Sequence, residues 1–243
     1  MVVPCFNEAL RLDPKAFLAF DRVAADVEFV FVNDGSVDRT SDVIDRLVAD
    51  LGSGASALHL KRNGGKAEAV RAGVVHALSR NPFAVGFWDA DLSTPLLTIG
   101  AFQRVLEQRP RIDMVFGARV ALLGREIRRR TRRHYSGRVF ATAVSMALDL
   151  PIHDSQCGAK LFRVTPILAE LFGAPFLSRW IFDVEIVARH IRAARTCGSA
   201  PTDQVLYEYP LDSWTDVPGS KLELLDFPKA FVDLLRIRRA YLA

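Results

Sequence analysis

The first half of the chain alternates short apolar runs with segments whose apolar residues recur every three or four positions. Val2-Val3, Glu28 to Val32, Ala57 to Leu60, Phe83 to Trp88 and Asp113 to Phe116 read as strands. Pro14 to Ala25, Thr40 to Leu51, Lys66 to Leu78 and Leu96 to Glu107 read as the helices between them. Strands that alternate with helices over short connections predict an α/β fold, with a mostly parallel sheet flanked by helices on both faces. After Gly117 the pattern changes. Gly124 to Leu150 reads as a helix that opens basic and turns apolar near Val139. A strand at Ala159 to Phe162, helices at Pro166 to Phe172 and Phe182 to Ala194, and a strand at Gln204 to Tyr209 follow. Leu222 to Leu242 reads as an amphipathic helix, suited to packing on the domain or to a membrane interface. No repeat, low-complexity tract or linker divides the chain, so a single domain is expected.

Composition narrows the classes. At 243 residues and 50% hydrophobic content the chain has ample core for one domain. Three cysteines, Cys5, Cys157 and Cys197, are too widely spaced for a zinc site or a disulfide framework, and a reducing compartment is the default. No apolar run approaches the roughly 18 residues that span a bilayer. The chain opens on Met-Val-Val-Pro without the pattern of a signal peptide, so a cytoplasmic location is expected. The net charge of +4 is unevenly spread. Arg119, Arg125, Arg128, Arg129, Arg130, Arg132, Arg133 and Arg138 fall in one stretch, and Arg236, Arg238 and Arg239 in another. Such clusters suit phosphates, whether of a nucleic acid, an anionic membrane surface or a substrate. A solvated helix face is the ordinary alternative.

The most informative residues are Asp89-Ala90-Asp91-Leu92-Ser93-Thr94. They follow the apolar run that ends at Trp88. Residues two apart in extended chain face the same side, so both carboxylates point together at the carboxyl end of a strand. They repel unless a cation sits between them, and hard oxygen ligands suit Mg²⁺ or Mn²⁺. The competing reading is a helix cap by Asp91 or Ser93 ahead of Thr94-Pro95. Two further loops reach the same edge: Pro4 to Glu8, and Asn33 to Asp38, where Asp34 is a candidate for a ribose or base edge. Asn63-Gly64-Gly65-Lys66 opens a helix and offers backbone N–H groups to an anion. It is no P-loop, since Leu60 and Ala67 replace the required Gly and Ser/Thr. A G-x-G-x-x-G first turn and a G-x-S-x-G elbow are both missing.

The order Pro4-x-Phe6-Asn7-Glu8, Val32-Asn33-Asp34-Gly35-Ser36-x-Asp38, Asn63-Gly64-Gly65-Lys66 and Asp89-Ala90-Asp91-Leu92-Ser93 resembles the family 2 glycosyltransferases, which have the GT-A fold. Asp154 to Phe162, Arg179 to Glu185, Trp214 and Val217 to Leu222 resemble the dolichyl-phosphate glucosyltransferase branch, a sister of the dolichol-phosphate mannose synthases. The resemblance implies inverting, metal-dependent transfer of a hexose, glucose favoured, from a nucleoside diphosphate sugar to a polyprenyl phosphate. Residues 1–118 would form the nucleotide-sugar half and 119–243 the acceptor half with interfacial helices. By the same resemblance, Pro4, Asn7, Glu8 and Asp34 hold the nucleoside. Asp89 lies on the nucleotide side, and Asp91 is the direct ligand of Mg²⁺ or Mn²⁺. Arg119, Arg132, Ser136 and Lys221 attend phosphates, and Lys66 belongs to the donor-binding set; Asp91, Asp154 and Arg132 are the catalytic candidates. Asp154 is the candidate base or acceptor-orienting group.

A phosphate acceptor is already anionic near neutral pH, since its second pKa is about 6. That agrees with Phe176 standing where acceptors with sugar hydroxyls are served by a Gln-x-x-Arg-Trp motif. GDP-mannose in place of UDP-glucose is the alternative donor. A non-catalytic basic protein that binds membranes or nucleic acid is the alternative class, and retention of Asp34, Asp89, Asp91 and Lys221 speaks against it. No nucleic-acid partner is expected. With no spanning segment, Gly124 to Leu150 is expected to lie against an anionic bilayer, giving a cytoplasmic protein peripherally bound to the membrane.

Overall fold

A computed structural model describes residues 1–24, 26–128, 131–217 and 226–243; the side chains of 131–136, 226 and 227 also lie outside the description. The first half follows the predicted alternation: β1 (Val2–Cys5), α1 (Pro14–Asp21), β2 (Phe29–Asn33), α2 (Thr40–Leu51), β3 (Ala55–His59), α3 (Lys66–Leu78), β4 (Ala84–Trp88), α4 (Thr98–Gln108) and β5 (Met114–Ala118). The second half adds β6 (Glu126–Arg128), α5 (Thr131–Leu148), β7 (Ala159–Arg163), α6 (Pro166–Gly173), α7 (Phe182–Cys197), α8 (Thr202–Val205), β8 (Leu206–Pro210), β9 (Ser213–Thr215) and α9 (Asp226–Tyr241).

The main sheet has seven strands in the order β3-β2-β1-β4-β7-β5-β8. All pairings are parallel except those of β7, which runs antiparallel between β4 and β5. Strands from both halves of the chain thus share one sheet. The side-chain period of two sorts the core. Along β2, Val30 and Val32 enter the layer containing Phe87, Phe116, Phe162 and Phe182. Phe29 and Phe31 enter the opposite layer with Phe17, Trp88 and Phe102. Burial on both faces is why these strands read as continuous apolar runs. Gly73 brings α3 close to the sheet: a Cβ there would overlap Val2 and press on Val32.

Two predicted elements change in kind at their start, and the start of a third, at 222–225, lies outside the described residues. The stretch from Gly124 does not begin as a helix: Glu126–Arg128 forms a strand paired with β9, and Arg125 is ion-paired with Asp212 beside it. The predicted strand Gln204 to Tyr209 starts later, because the chain makes a helical turn over Thr202–Val205 after Pro201. The C-terminal helix is described from Asp226, and it packs on the domain through buried Leu234 and Ile237.

The antiparallel course of β7 has a structural consequence. Its amino end, rather than its carboxyl end, reaches the edge where the loops after β1, β2 and β4 gather. Asp154 to Gly158 therefore arrive beside Asp89.

His190 on α7 is buried, and its Nδ1 lies 2.9 Å from Thr202 Oγ1, joining α7 to α8. Burial lowers its pKa below the usual 6.5. The unfolded chain takes up this proton at a higher pH than the folded one. Stability from the neutral ring is therefore complete above about pH 6.5 and is lost as pH falls toward the depressed folded pKa. His190→Gln is expected to narrow the fall in melting temperature between about pH 7.5 and about pH 5.5, measured by circular dichroism.

Candidate active site

The loops after β1 and β2 are zipped together. Asn7 N–H donates to Ser36 Oγ (3.0 Å), Val37 N–H to Asn7 Oδ1 (3.0 Å) and Glu8 N–H to Thr40 Oγ1 (2.8 Å). Asn7 takes a left-handed backbone, φ 51°, which asparagine tolerates better than most residues. Pro4 lies within β1, opposite Val32. Glu8 is buried, and its carboxylate accepts two hydrogen bonds from Arg11, at 2.6 and 2.5 Å.

Asp34 is buried at the start of α3. Its carboxylate accepts from the N–H groups of Gly64 (2.7 Å) and Gly65 (2.8 Å) and from Asn63 Nδ2 (3.0 Å). The helix N-terminus that the sequence offers to an anion is thus met by a carboxylate of the chain itself. Burial pushes the Asp34 pKa up, and the two glycine N–H groups act against that rise. Arg179 lies over the same turn and donates to Asn63 Oδ1 (2.6 Å); a Cβ on Gly65, whose φ is +90°, would meet its guanidinium. This turn sets where Lys66 begins α3.

Asp89 and Asp91 follow β4. Ser93 N–H donates to Asp91 Oδ1 at 3.0 Å, a local turn contact; α4 starts only at Thr98 and has no side-chain cap, so neither Asp91 nor Ser93 takes the capping role weighed against a ligand role. The turn contact engages one oxygen of one carboxylate. Burial raises the Asp91 pKa, and the Asp89 charge raises it further. Two neighbouring carboxylates, of which Asp91 is disfavoured in its charged form, are a donor set that fits a divalent cation. Among the described residues no third acidic or histidine side chain joins them as a ligand cluster. Leu92 between Asp91 and Ser93 has φ 52°, a conformation costly for leucine and found at sites where the surrounding structure enforces it.

Cations surround this pair. Lys66 Nζ lies 2.5 Å from Asp89 Oδ1. Burial lowers the Lys66 pKa, but Asp89, Asp183 and Asp91 together outweigh it, so the net shift is upward. Arg11, absent from the sequence expectations, feels the charges of Asp91 and Asp89 in addition to its Glu8 partner. The only signal for it was a basic residue three positions after Glu8, at the spacing that returns a side chain to the same side of a turn.

Arg119 and Asp154 form a bidentate pair at 2.7 and 2.7 Å, and Asp154 also accepts the Arg119 N–H at 3.0 Å. Burial opposes the Arg119 charge, and Asp154 more than restores it, so its pKa rises. Arg119 also feels Asp89. Asp154 N–H donates to Glu208 Oε1 at 2.7 Å, which anchors this segment to β8. Gly158 is in contact with Asp89: its carbonyl accepts the Asp89 N–H at 3.0 Å, and any Cβ would overlap the Asp89 carboxylate.

Behind this wall Lys160 is fully buried. Its Nζ lies 2.6 Å from Asp183 Oδ1 and donates to Cys157 O at 2.5 Å, between the rings of Phe87 and Phe116. Asp183 thus has a buried partner. Glu185 is buried as well and is bound by Arg189, Tyr241 and the Leu177 N–H. Trp214 is buried beneath the Arg119 guanidinium, whereas Trp180 is exposed.

The structure therefore gathers Lys66, Asp89, Asp91, Arg119 and Asp154 at one edge, with Asn7, Glu8 and Asp34 on the adjoining loops. Arg132 and Ser136 lie in the first turns of α5, where side chains are outside the described residues, and Lys221 falls outside them altogether.

Comparison with known proteins agrees with this architecture. A family profile described as glycosyl transferase family 2 matches residues 1–168. The chain is 30% identical over 257 residues to the dolichyl-phosphate beta-glucosyltransferase of Mus musculus, covering 100% of this chain and 75% of that one. It is 31% identical to the Drosophila melanogaster protein of the same name, covering 91% and 68%. Among solved structures, glucosyl-3-phosphoglycerate synthase from Mycobacterium tuberculosis superposes with a TM-score of 0.60 at 19% identity, covering 98% of this chain and 78% of that one. A mannosyltransferase from Pyrobaculum calidifontis, crystallised with GDP-Man and Mn²⁺, gives 0.58 at 19% identity, covering 98% and 62%. With its sheet order, its paired carboxylates at the edge of the sheet and this match over most of its length, the chain belongs to glycosyltransferase family 2 and is a glycosyltransferase of the GT-A fold.

Proposed function

We propose that this enzyme transfers glucose from UDP-glucose to a polyprenyl phosphate of the dolichyl type, with inversion at the anomeric carbon and with Mg²⁺ or Mn²⁺. The observation that carries the reading is the Arg119–Asp154 pair. Both oxygens of Asp154 are held by one guanidinium, and the carboxylate that sequence reasoning offered as a base is engaged as a structural anion. An acceptor that brings its own negative charge suits such a site, and a phosphate monoester does so near neutral pH. Whole-chain similarity to relatives named dolichyl-phosphate beta-glucosyltransferase supports the same acceptor.

In this reading the acceptor phosphate oxygen attacks the anomeric carbon on the face opposite the nucleotide. The bond from that carbon to the diphosphate oxygen breaks, and its electron pair leaves with UDP. A bound divalent cation supplies charge neutralisation for the departing diphosphate. Asp89 and Asp91 would hold it. Lys66, Arg11 and Arg119 add positive charge around the same point. Arg132, Ser136 and Lys221 are assigned to donor and acceptor phosphates, and Asn7, Glu8, Asp34 and Pro4 to the nucleoside side. Residues 1–118 then serve the donor and 119–243 the acceptor.

The lipid acceptor calls for a membrane-facing surface. No helix among the described residues is long and apolar enough to cross a membrane. Helices α5 and α9 meet through the rings of Phe140 and Phe231. Val139 and Met146 on α5, and Phe231, Val232 and Leu235 on α9, are exposed apolar side chains. Arg236, Arg238 and Arg239 follow them along α9 and are exposed. Apolar side chains bordered by arginines suit an anionic interface.

Four measurements test the reading. In a donor screen with purified protein, Mg²⁺ or Mn²⁺ and a short polyprenyl phosphate, UDP-glucose should be the productive donor; turnover with GDP-mannose instead would replace the sugar assignment. In the same assay Asp91→Asn should fold normally and lose metal-dependent transfer, because it removes charge at nearly constant volume. Asp154→Asn should lower turnover while keeping the acidic limb of the pH–rate profile, the fall in rate at low pH; loss of that limb would make Asp154 a general base. Replacing Arg238 and Arg239 together by Gln should weaken flotation with anionic liposomes about thirtyfold at low salt, with donor affinity unchanged.

A further inference from the structure

The Lys66–Asp89 contact has the wrong sign for a site meant to receive a cation. Asp89 is closed on one side by the backbone of Gly158 and held on another by the Lys66 ammonium at 2.5 Å. Asp91 has one oxygen engaged by the Ser93 N–H. Lys66 is fixed at its base, and only its long side chain carries the ammonium to Asp89. Its backbone is set by the Asp34 contacts with Gly64 and Gly65 and by Arg179 on Asn63. Its side chain is about a third exposed (34%) on a flexible four-carbon stem.

We propose that Lys66 is a resident cation of the Asp89–Asp91 pair, and that it leaves Asp89 for the diphosphate of the donor, so that donor and divalent metal bind cooperatively. The inference rests on the metal-dependent reading above and adds the residue that links the two ligands. A dication brought to Asp89 alone meets the ammonium and is repelled by it. A diphosphate brought alone competes with Asp89 for the same ammonium. When both arrive, the ammonium moves onto phosphate oxygens and the carboxylate is released to the metal, so each ligand removes the obstacle to the other. Coupling of this kind is reciprocal by thermodynamic necessity. It would also keep metal bound without donor scarce, so that the site is assembled chiefly around substrate.

The test is calorimetric titration of Mn²⁺ into the full chain, with and without saturating UDP, for wild type, Lys66→Met and Lys66→Arg; thermal melts check folding. Wild type should bind Mn²⁺ at least about tenfold more tightly when UDP is present. Lys66→Met should bind Mn²⁺ alone about tenfold more tightly than wild type does, and UDP should add less to it. Lys66→Arg, which keeps the charge, should behave as wild type. Unchanged or weaker Mn²⁺ binding by folded Lys66→Met overturns the proposal. So does an absence of Mn²⁺–UDP coupling in wild type, which needs no variant. If transfer still requires metal in either case, only this inference falls. If neither protein binds Mn²⁺ with UDP and transfer proceeds in a chelator, the metal assignment falls with it and the glucosyl-transfer reading stands.

Discussion

Two carboxylates placed two residues apart at the end of a buried strand repel one another, and the charged groups at this edge of the sheet are arranged around that repulsion. Asp89 and Asp91 reach the edge because Ala84–Trp88 is buried on both faces and ends there. Burial raises the cost of keeping Asp91 charged, and the neighbouring Asp89 charge adds to it. The chain answers with cations from three different elements: Lys66 at the head of α3, Arg11 in the loop after β1 and Arg119 at the end of β5. Each carries its own carboxylate partner or shares one, so the site holds a dense, interlocked set of charges rather than a free acidic pair. Such a set suits a substrate whose own charge changes during reaction, as a diphosphate does when it leaves.

Packing holds this set in place. Gly158 allows its backbone to meet Asp89 where any side chain would collide. Lys160 fastens the preceding carbonyl, at Cys157, to Asp183 on α7, with aromatic rings on two sides that exclude water. A buried ion pair of this type contributes little net stability, because desolvation offsets the attraction. Its value is geometric: it ties the wall beside Asp89 to a long buried helix. The opposite wall is tied through Asp34 and Arg179 to the start of α3. Asp89 thus lies between the Gly158 backbone and the Lys66 ammonium.

Much of this was legible in the residue order. The period of apolar positions gives the alternation of strands and helices, because burial on both sheet faces and one helix face leaves a direct imprint. The spacing of Asp89 and Asp91 after an apolar run places two carboxylates at one edge, since a strand's side chains alternate by geometry alone. The loops at Asn7, Glu8 and Asp34 reach the same edge because parallel strands all end there. Local rules were less reliable where pairing partners are remote. Glu126–Arg128 reads as the start of a basic helix and becomes a strand, because β9, almost ninety residues later, offers it a partner.

Tertiary structure decided which charges meet. That β7 enters antiparallel between β4 and β5 is not written in its own five residues, yet it brings Asp154 and Gly158 to Asp89. Asp34 reads as a nucleoside contact and is found capping the turn before Lys66, because the β2 and α3 ends are neighbours only once the sheet has formed. Arg11 carries no motif that marks it, and Lys160 stands in the motif-like stretch Asp154 to Phe162 without a role that the residue order assigns. Sequence determines the types of group available and the faces on which they lie, through side-chain period and local turn chemistry. Their pairing depends on distances between segments far apart in the chain, and electrostatic interaction falls off steeply enough that only the folded arrangement sets it.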